Sequence, residues 1–552
     1  MQTIQPLSHP PLGMWQGDEA IPAATPAAVG RALLHLRRPV ILIRQPDGIG
    51  IRNGGTFCIG PGTPENGKGM PVLGYAAPLP PEHLGDPGFC AFHGTRYAYV
   101  VGAMANGITS ARMVKAAGRA GLLAFFGAGG LSPARIEQAI DTLQQESSHE
   151  PFPFGFNLIH SPADPALEMA TVRLYLDRKI RLISASAFMD ITLPLAYFRI
   201  KGIYRRDDGQ IVAPNHIIAK VSREEVARKY LNPPSEKLCG ALRHEGLITA
   251  EEAGLARRIP MADDLTAEAD SGGHTDNRPA LSLLPTLLAL RDEISRQHAY
   301  PRPPCVGLGG GIATPTAAAA AFAMGAAYIL TGSVNQACIE AGTSTAVRTL
   351  LAATRQADVV MAPAADMFEL GVKVQVLKRG TLFPLRARKL FDLFTRYQTF
   401  ADIPAEDRQW IETDLFRQSF DEEWQSTQAF FADRDPAQID RARENPRHQM
   451  ALVFRSYLGQ SSSWANTGVA DRQLDYQIWC GPAMGAFNEW TRGSFLEQIE
   501  NRDIVTVAYN FLFGAAVLNR YRLLCSQGAP VPSESGKFTP LKRADIQQLL
   551  QV

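Results

Sequence analysis

Two glycine-rich turns and one histidine carry most of the chemistry that can be read from this chain. The segment VGLGGGIATPTAAAAAF (306–322) runs an apolar stretch into Gly309, Gly310 and Gly311, then opens an alanine-rich helix at Thr314 and Pro315. Threonine at the N-cap and proline at the first helical position suit a helix start. The glycines let backbone N–H groups close on an anion beside the positive end of the helix dipole. One strand later YILTGSVNQA (328–337) repeats the device with Gly332 and Ser333. Ile312 stands where the G-x-G-x-x-G fingerprint needs its third glycine, so a mononucleotide-type phosphate such as that of FMN suits the turns better than a dinucleotide. Plain βα turns would also use glycines, but two such loops in succession form a narrower pattern.

The second group is EADSGGHTD (268–276), which closes another apolar run. Gly272 and Gly273 free the backbone to approach a ring system. His274 presents an imidazole, the side-chain type whose unperturbed pKa of about 6.5 suits it to donate or accept a proton at neutral pH. A lone histidine is more often structural than catalytic. Its place at a strand end, beside two glycines and near Glu268 and Asp270, makes this one the candidate acid or base. Glu268, Ser271, Gly272 and Gly273 join the candidate cofactor contacts. Gly102, Ala103 and Met104 end an earlier strand with small or flexible residues that admit a flat ring, and Asn157 ends another with an amide that both donates and accepts, as a flavin pyrimidine edge requires. Lys220 offers a cation for the N1/O2 edge of a reduced flavin. The competing readings are a salt bridge from Lys220 to a neighbouring strand-end carboxylate and a loop-capping role for Asn157.

Such residues need a scaffold that brings loop ends together. From Tyr97 onward, short apolar runs ending in glycine or small polar residues alternate with helix-like stretches, the pattern of βα units on a parallel sheet. Eight runs are present: YAYVVGAM (97–104), LLAFFGAGG (122–130), FGFNLI (154–159), IRLISASA (180–187), HIIAKVS (216–222), LTAEADSGGH (265–274), PCVGLGGGI (304–312) and AAYILTGS (326–333). They predict a (β/α)₈ barrel over 96–377 with its chemistry at the C-terminal strand ends. Insertions are expected at about 190–215, where IYRRDDGQIVA carries an Asp-Gly hairpin signal, and at 231–258. Residues 1–95, broken by PGTPENGKG (61–69) and PLPPEHLGDPG (78–88), read as a small β-containing N-terminal domain. Residues 378–552 read as a helical C-terminal domain, which holds five of the six tryptophans, most of them expected in its core.

Composition excludes several classes of function. The 552 residues carry 55 Lys plus Arg against 54 Asp plus Glu, a net charge of +1 that gives no field for gathering nucleic acid or anionic lipid. The longest uncharged apolar run, Ala317–Leu330, falls short of the roughly 18–20 residues a bilayer needs, so no membrane span is expected. The N-terminus lacks the basic and apolar regions of a secretory signal. Seven scattered cysteines without a CxxC pair argue against a disulfide framework and a zinc site, so no metal is expected and a reducing cytoplasm fits.

With these residues in hand, the chain resembles the PfaD-type trans-acting enoyl reductases of polyunsaturated fatty acid synthases and trans-acyltransferase polyketide synthases, a branch of the nitronate monooxygenase (2-nitropropane dioxygenase)-like FMN barrels. The resemblance is carried by VVGAMANGITS, FGAGGLSP, PFGFNLIHSP, SASAFMDIT, EADSGGHTDNRP, GLGGGIATP and TGSVNQACIEAGTS, and continues through RKLFDLFTRYQTF and SYLGQSSSWANTG. It implies tightly bound FMN, NADPH as hydride donor, and an enoyl thioester on an acyl carrier protein as substrate, with His274 as proton donor or thioester-oxygen contact. It leaves room for a homodimer. Where plain nitronate monooxygenases read EAGGH, this chain inserts Asp270-Ser271, which favours the enoyl reductase branch over nitroalkane oxidation. The alternatives are a nitronate monooxygenase-type oxidase and a non-catalytic scaffold barrel. RARK (386–389) is a candidate basic patch for an acidic carrier protein, against the plainer reading of a solvated helix face.

Overall fold

The computed structural model describes residues 11–17, 20–60, 69–160, 165–432 and 435–551. The PGTPENGKG turn, but for its last residue, lies outside them. Eight parallel strands close into a barrel in sequence order: Tyr99–Val101, Leu123–Phe126, Phe154–Ile159, Leu182–Ser186, His216–Val221, Asp264–Glu268, Cys305–Gly309 and Ile329–Thr331. Each falls on one of the eight apolar runs. Strands covered on both faces need nearly continuous apolar sequence, which is why the runs stand out without alternation.

Alternation along the strands then sorts the inward side chains. Val100, Leu123, Phe125, Leu182, Ile218, Cys305 and Leu330 form one buried cluster with Phe89. Phe89 belongs to the Pro87–His93 helix, which plugs the N-terminal end of the barrel, and it stacks on Tyr328 with ring centroids 4.2 Å apart. His93 of the same helix bonds Asp264 at 2.6 Å. A Cβ on Gly307 would sit 2.4 Å from the Tyr328 ring, so glycine is required where that ring fills the barrel. Further along the same inward register stand Asn157, Lys220, Glu268, Gly102, Gly309 and Gly332, polar or without a side chain. One end of the barrel is therefore packed shut, and the other is left with glycines and hydrogen-bonding groups.

Three further parts surround the barrel. An antiparallel sheet of Gly13–Gln16, Val40–Gln45, Gly48–Arg52, Thr56–Ile59 and Met70–Ala76 buries Trp15, Ile41, Ile43 and Val72 on one face, while Val40, Leu42 and Ala76 join the main core on the other. Between the fourth and fifth barrel strands, the Asp208-Gly209 turn joins Tyr204–Arg205 to Ile211–Val212. The Glu236–His244 and Ala250–Ala256 helices precede the sixth strand. The Ile504–Ser526 helix crosses the Pro315–Ala323 helix at Gly514, where a Cβ would meet Pro315 at 2.7 Å. A second core gathers Phe368, Val374 and Val376 with residues of the Phe383–Arg396 and Pro446–Thr467 helices.

Candidate active site

The two glycine turns meet at the open end of the barrel. Gly310 and Gly311 take φ of +86° and +75°, the left-handed region that favours glycine. Gly310 lies against the sixth-strand loop, where a Cβ would stand 2.6 Å from the Ala269 carbonyl, whereas a Cβ on Gly311 or on Gly332 would meet nothing within 4 Å. The cradle is thus tight on its protein side and open on the other. Thr314 caps the Pro315–Ala323 helix through its Oγ1, which accepts from Ala317 N at 3.1 Å. The hydroxyl of Ser271 is sealed from solvent and has no hydrogen-bond partner among the described residues. Gly481, from the segment after the Pro446–Thr467 helix, closes the gap: its N–H donates to Ser333 Oγ at 3.1 Å, and its Cα approaches Ser271 so closely that a Cβ would lie 3.0 Å from the Ser271 carbonyl carbon. A buried orphan hydroxyl beside open glycine backbone is what a phosphate group would satisfy.

His274 is placed differently from the strand-end position expected of it. The sixth barrel strand ends at Glu268, the chain turns through Gly272 and Gly273 (φ +80°), and Gly273–His274 forms a short strand paired with Gln375 and Val374 of Lys373–Leu377. That strand pairs in turn with Val359–Pro363, making a three-stranded sheet outside the barrel. The imidazole Nε2 lies 2.9 Å from Asp366 Oδ2, and the Trp479 ring stands edge-on at 6.4 Å. Gln375 Nε2 donates to Asp270 Oδ1 at 2.7 Å and to the Ser271 carbonyl at 3.1 Å, tying the loop to the sheet. Cys480 packs against Gly272; burial pushes its thiol up to about 12, so it stays protonated and is no nucleophile.

The remaining candidates divide. Lys220 Nζ donates to Glu268 Oε1 at 2.6 Å, the salt bridge that competed with a flavin contact. Asn157 Oδ1 accepts from Gly129 N at 3.0 Å, holding the loop after the second strand, while its Nδ2 has no partner among the described residues. A Cβ on Gly102 would press Leu330 at 2.7 Å, so this glycine serves the contact between the first and eighth strands. Ala103 packs on the barrel-interior cluster, and Met104 N donates to Thr109 Oγ1 at 2.9 Å. In RARK, Arg386 pairs with the buried Asp475, and Lys389 bonds Asp407 at 2.7 Å and covers the Trp410 ring. That leaves Arg388 as the exposed arginine of the stretch.

The far side of the His274 loop is clamped by Asp276, which accepts from Ser222 Oγ at 2.6 Å and from Arg223 Nε and Nη2, both at 2.8 Å. The Arg223 hydrogen bonds, against some burial, hold its carboxyl down at about 2. A depressed carboxylate stabilises the folded state fully above its unfolded value of about 3.9 and loses that contribution as pH falls through the folded value. The loop is therefore expected to loosen between about pH 4 and pH 2, and in Asp276→Asn at neutral pH. Faster amide exchange over 270–279 checks this; equal exchange in variant and parent at pH 7 would show that the clamp does not order the loop. A groove of about 1030 Å³ runs outward from this point, lined by Ser222, Arg223, Met261, Arg278 and Leu283.

Asp366, Gln375, Trp479 and Gly481 escaped the sequence reading, since none stands in a recognisable motif. Among the described residues no helix is long and apolar enough to cross a membrane.

Fold and site together define the class. The chain belongs to the nitronate monooxygenase family, whose model matches residues 89–385. Within it the chain falls with the PfaD-type proteins: it is 45% identical over 448 residues to a component of the polyunsaturated fatty acid synthase of Thraustochytrium, covering 80% of this chain and 30% of that one. It is also 42% identical over 442 residues to the polyketide biosynthesis protein PksE of Bacillus subtilis, covering 80% of this chain and 57% of that one. The chain thus spans 30% and 57% of the lengths of these two curated relatives. The crystal structure of the enoyl reductase domain of MlnA, from the macrolactin biosynthesis cluster of Bacillus amyloliquefaciens, superimposes with a TM-score of 0.77 at 38% identity, covering 80% of this chain and 99% of that one. Residues 397–476 match the inserted helical domain of [acyl-carrier-protein] S-malonyltransferase.

Proposed function

We propose that the chain is a trans-acting enoyl reductase, reducing the α,β-double bond of enoyl thioesters held on an acyl carrier protein during polyketide or polyunsaturated fatty acid synthesis. The observation that carries the reading is the meeting of two open glycine turns with the loop that bears the orphan Ser271 hydroxyl and leads to His274, in a chain that covers 99% of the MlnA enoyl reductase domain. FMN, held there, supplies hydride chemistry between NADPH and the β-carbon of the acyl group. The Ser271 hydroxyl would donate to the FMN phosphate, and the Gly311 and Gly332 backbone would close around it. Lys220, locked to Glu268, and the Asn157 Nδ2 would present one cation and one donor to the mouth. His274 holds the proton that Cα requires once hydride has added to Cβ, or donates to the thioester oxygen as negative charge gathers on it. The seven cysteines are all free thiols, in keeping with a cytoplasmic setting.

The decisive experiment is anaerobic. Protein reduced with NADPH is mixed with a crotonyl carrier thioester, and the yellow oxidised spectrum is expected to return. Return only with oxygen and a nitronate would overturn the reading in favour of an oxidase. Ser271→Ala separates binding from folding: apo-protein stability is unchanged or slightly raised, because an unsatisfied buried hydroxyl is removed, while FMN binding weakens about 10- to 100-fold through loss of one hydrogen bond to a charged group. Isothermal titration of the apo-protein with FMN measures it, and undiminished affinity would move the phosphate elsewhere.

A further inference from the structure

We infer that Asp366 is the positioning residue for His274: its carboxylate accepts the Nε2 proton, which leaves Nδ1 as the nitrogen that exchanges a proton with substrate. The inference deepens the enoyl reductase reading and rests on it for the proton's destination, though not for the pairing itself. The Nε2–Oδ2 distance is 2.9 Å, and an ionised carboxylate only accepts, so Nε2 carries the hydrogen. Which imidazole nitrogen does chemistry is set by the bond the other one makes. No other hydrogen bond to the imidazole is found among the described residues, so Nδ1 is uncommitted.

What makes the contact more than a chance surface pair is that both partners ride on one small sheet. His274 pairs with Val374, and the Lys373–Leu377 strand continues back through a tight loop to Asp366. That loop is pinned at three points. Ala364 N donates to Val372 O at 2.9 Å, the Phe368 ring is fully buried in the second core, and Arg455 of the Pro446–Thr467 helix donates to the Ala365 carbonyl at 2.9 Å and to Glu369 at 3.2 Å. Gln375, on the same strand, holds Asp270 and Ser271. The separation of the two side chains is thus set by backbone pairing, and the elements that set it lie outside the eight barrel units. Asp366 is half exposed, and although partial desolvation works the other way, the hydrogen bond from His274 keeps its carboxyl below its usual range, which preserves the acceptor.

The test uses the whole chain, loaded with FMN and labelled with 15N-histidine, with His274→Ala to assign the resonance. A His274 Nε2–H signal protected from solvent exchange is expected in the parent and in Asp366→Glu, and is expected to be lost in Asp366→Ala. With crotonyl thioester, Asp366→Ala is expected to lower kcat about tenfold with KM and flavin content unchanged, and to have no further effect in a His274→Ala background. An Nε2–H that exchanges as fast in the parent as in Asp366→Ala overturns the inference, as does a full additional loss in the His274→Ala background. Failure of the enoyl reductase reading would look different: the parent would not turn over the thioester, while the protected signal would remain.

Discussion

His274→Ala is expected to lower reduction of an enoyl thioester by about 10² to 10⁴-fold, the usual contribution of a placed general acid, while FMN content stays at the parental level. The separation follows from geometry. His274 sits on a strand of the outer sheet and contacts Asp366 and Trp479, whereas the proposed phosphate cradle is Ser271, Gly311 and Gly332. Removing the imidazole opens space at the mouth without touching the cradle. Stopped-flow reoxidation of the NADPH-reduced protein by crotonyl thioester reads the effect directly. Rates equal to the parent would reject the acid role and hand the proton to water; loss of flavin instead of rate would make the histidine a binding residue.

The largest expected effect on stability lies at the other end of the barrel. Arg199, 2% exposed, donates from Nη1 and Nη2 to the two Asp263 oxygens at 2.7 and 3.0 Å, and from Nε to the Pro260 carbonyl at 3.1 Å. Asp263 also accepts from Ile217 N at 3.0 Å, so the pair ties the Leu193–Ile200 helix to the start of the fifth and sixth strands. Burial by itself would raise the Asp263 carboxyl, but the guanidinium and His216 hold it well below the usual carboxylate range. Arg199→Ala leaves that carboxylate buried and uncompensated, which typically costs about 3–5 kcal/mol. Urea unfolding at pH 7 should show this as a lower midpoint. The sign with pH is also set: the gap between parent and variant should begin to narrow where the variant's uncompensated carboxylate takes up a proton, above its unfolded value of about 3.9, and close as the parent's depressed carboxylate does so in stronger acid. Replacing both partners by apolar residues of similar volume should recover much of the loss; a double variant no better than Arg199→Ala would mean that the backbone bonds, rather than the charges, carry the stability.

Barrel and cofactor loops were legible for the same reason. Parallel strands buried on both faces are written as short unbroken apolar runs, and the turns that close them as glycine, so VGLGGGIATP and YILTGS announce the elements and carry the proposed phosphate site. The polar strand ends were legible as candidates but not as partners. Lys220 and Asn157 each had a structural alternative, and the geometry gives Lys220 its salt bridge to Glu268 and Asn157 its loop contact with Gly129. The RARK stretch read as a charge patch, yet Arg386 and Lys389 are taken up by Asp475 and Asp407.

The sequence by itself determined the eight-stranded barrel, the pair of glycine turns and the family, because each is encoded within a few consecutive residues by local conformational need. Only the tertiary structure decided what surrounds His274. Asp366 stands 92 residues from it, and Gly481 stands 148 residues from Ser333. Neither contact has a local signature, because a carboxylate in a hairpin loop or a glycine in a coil meets its partner only when packing of the outer sheet and the C-terminal helices brings the two together.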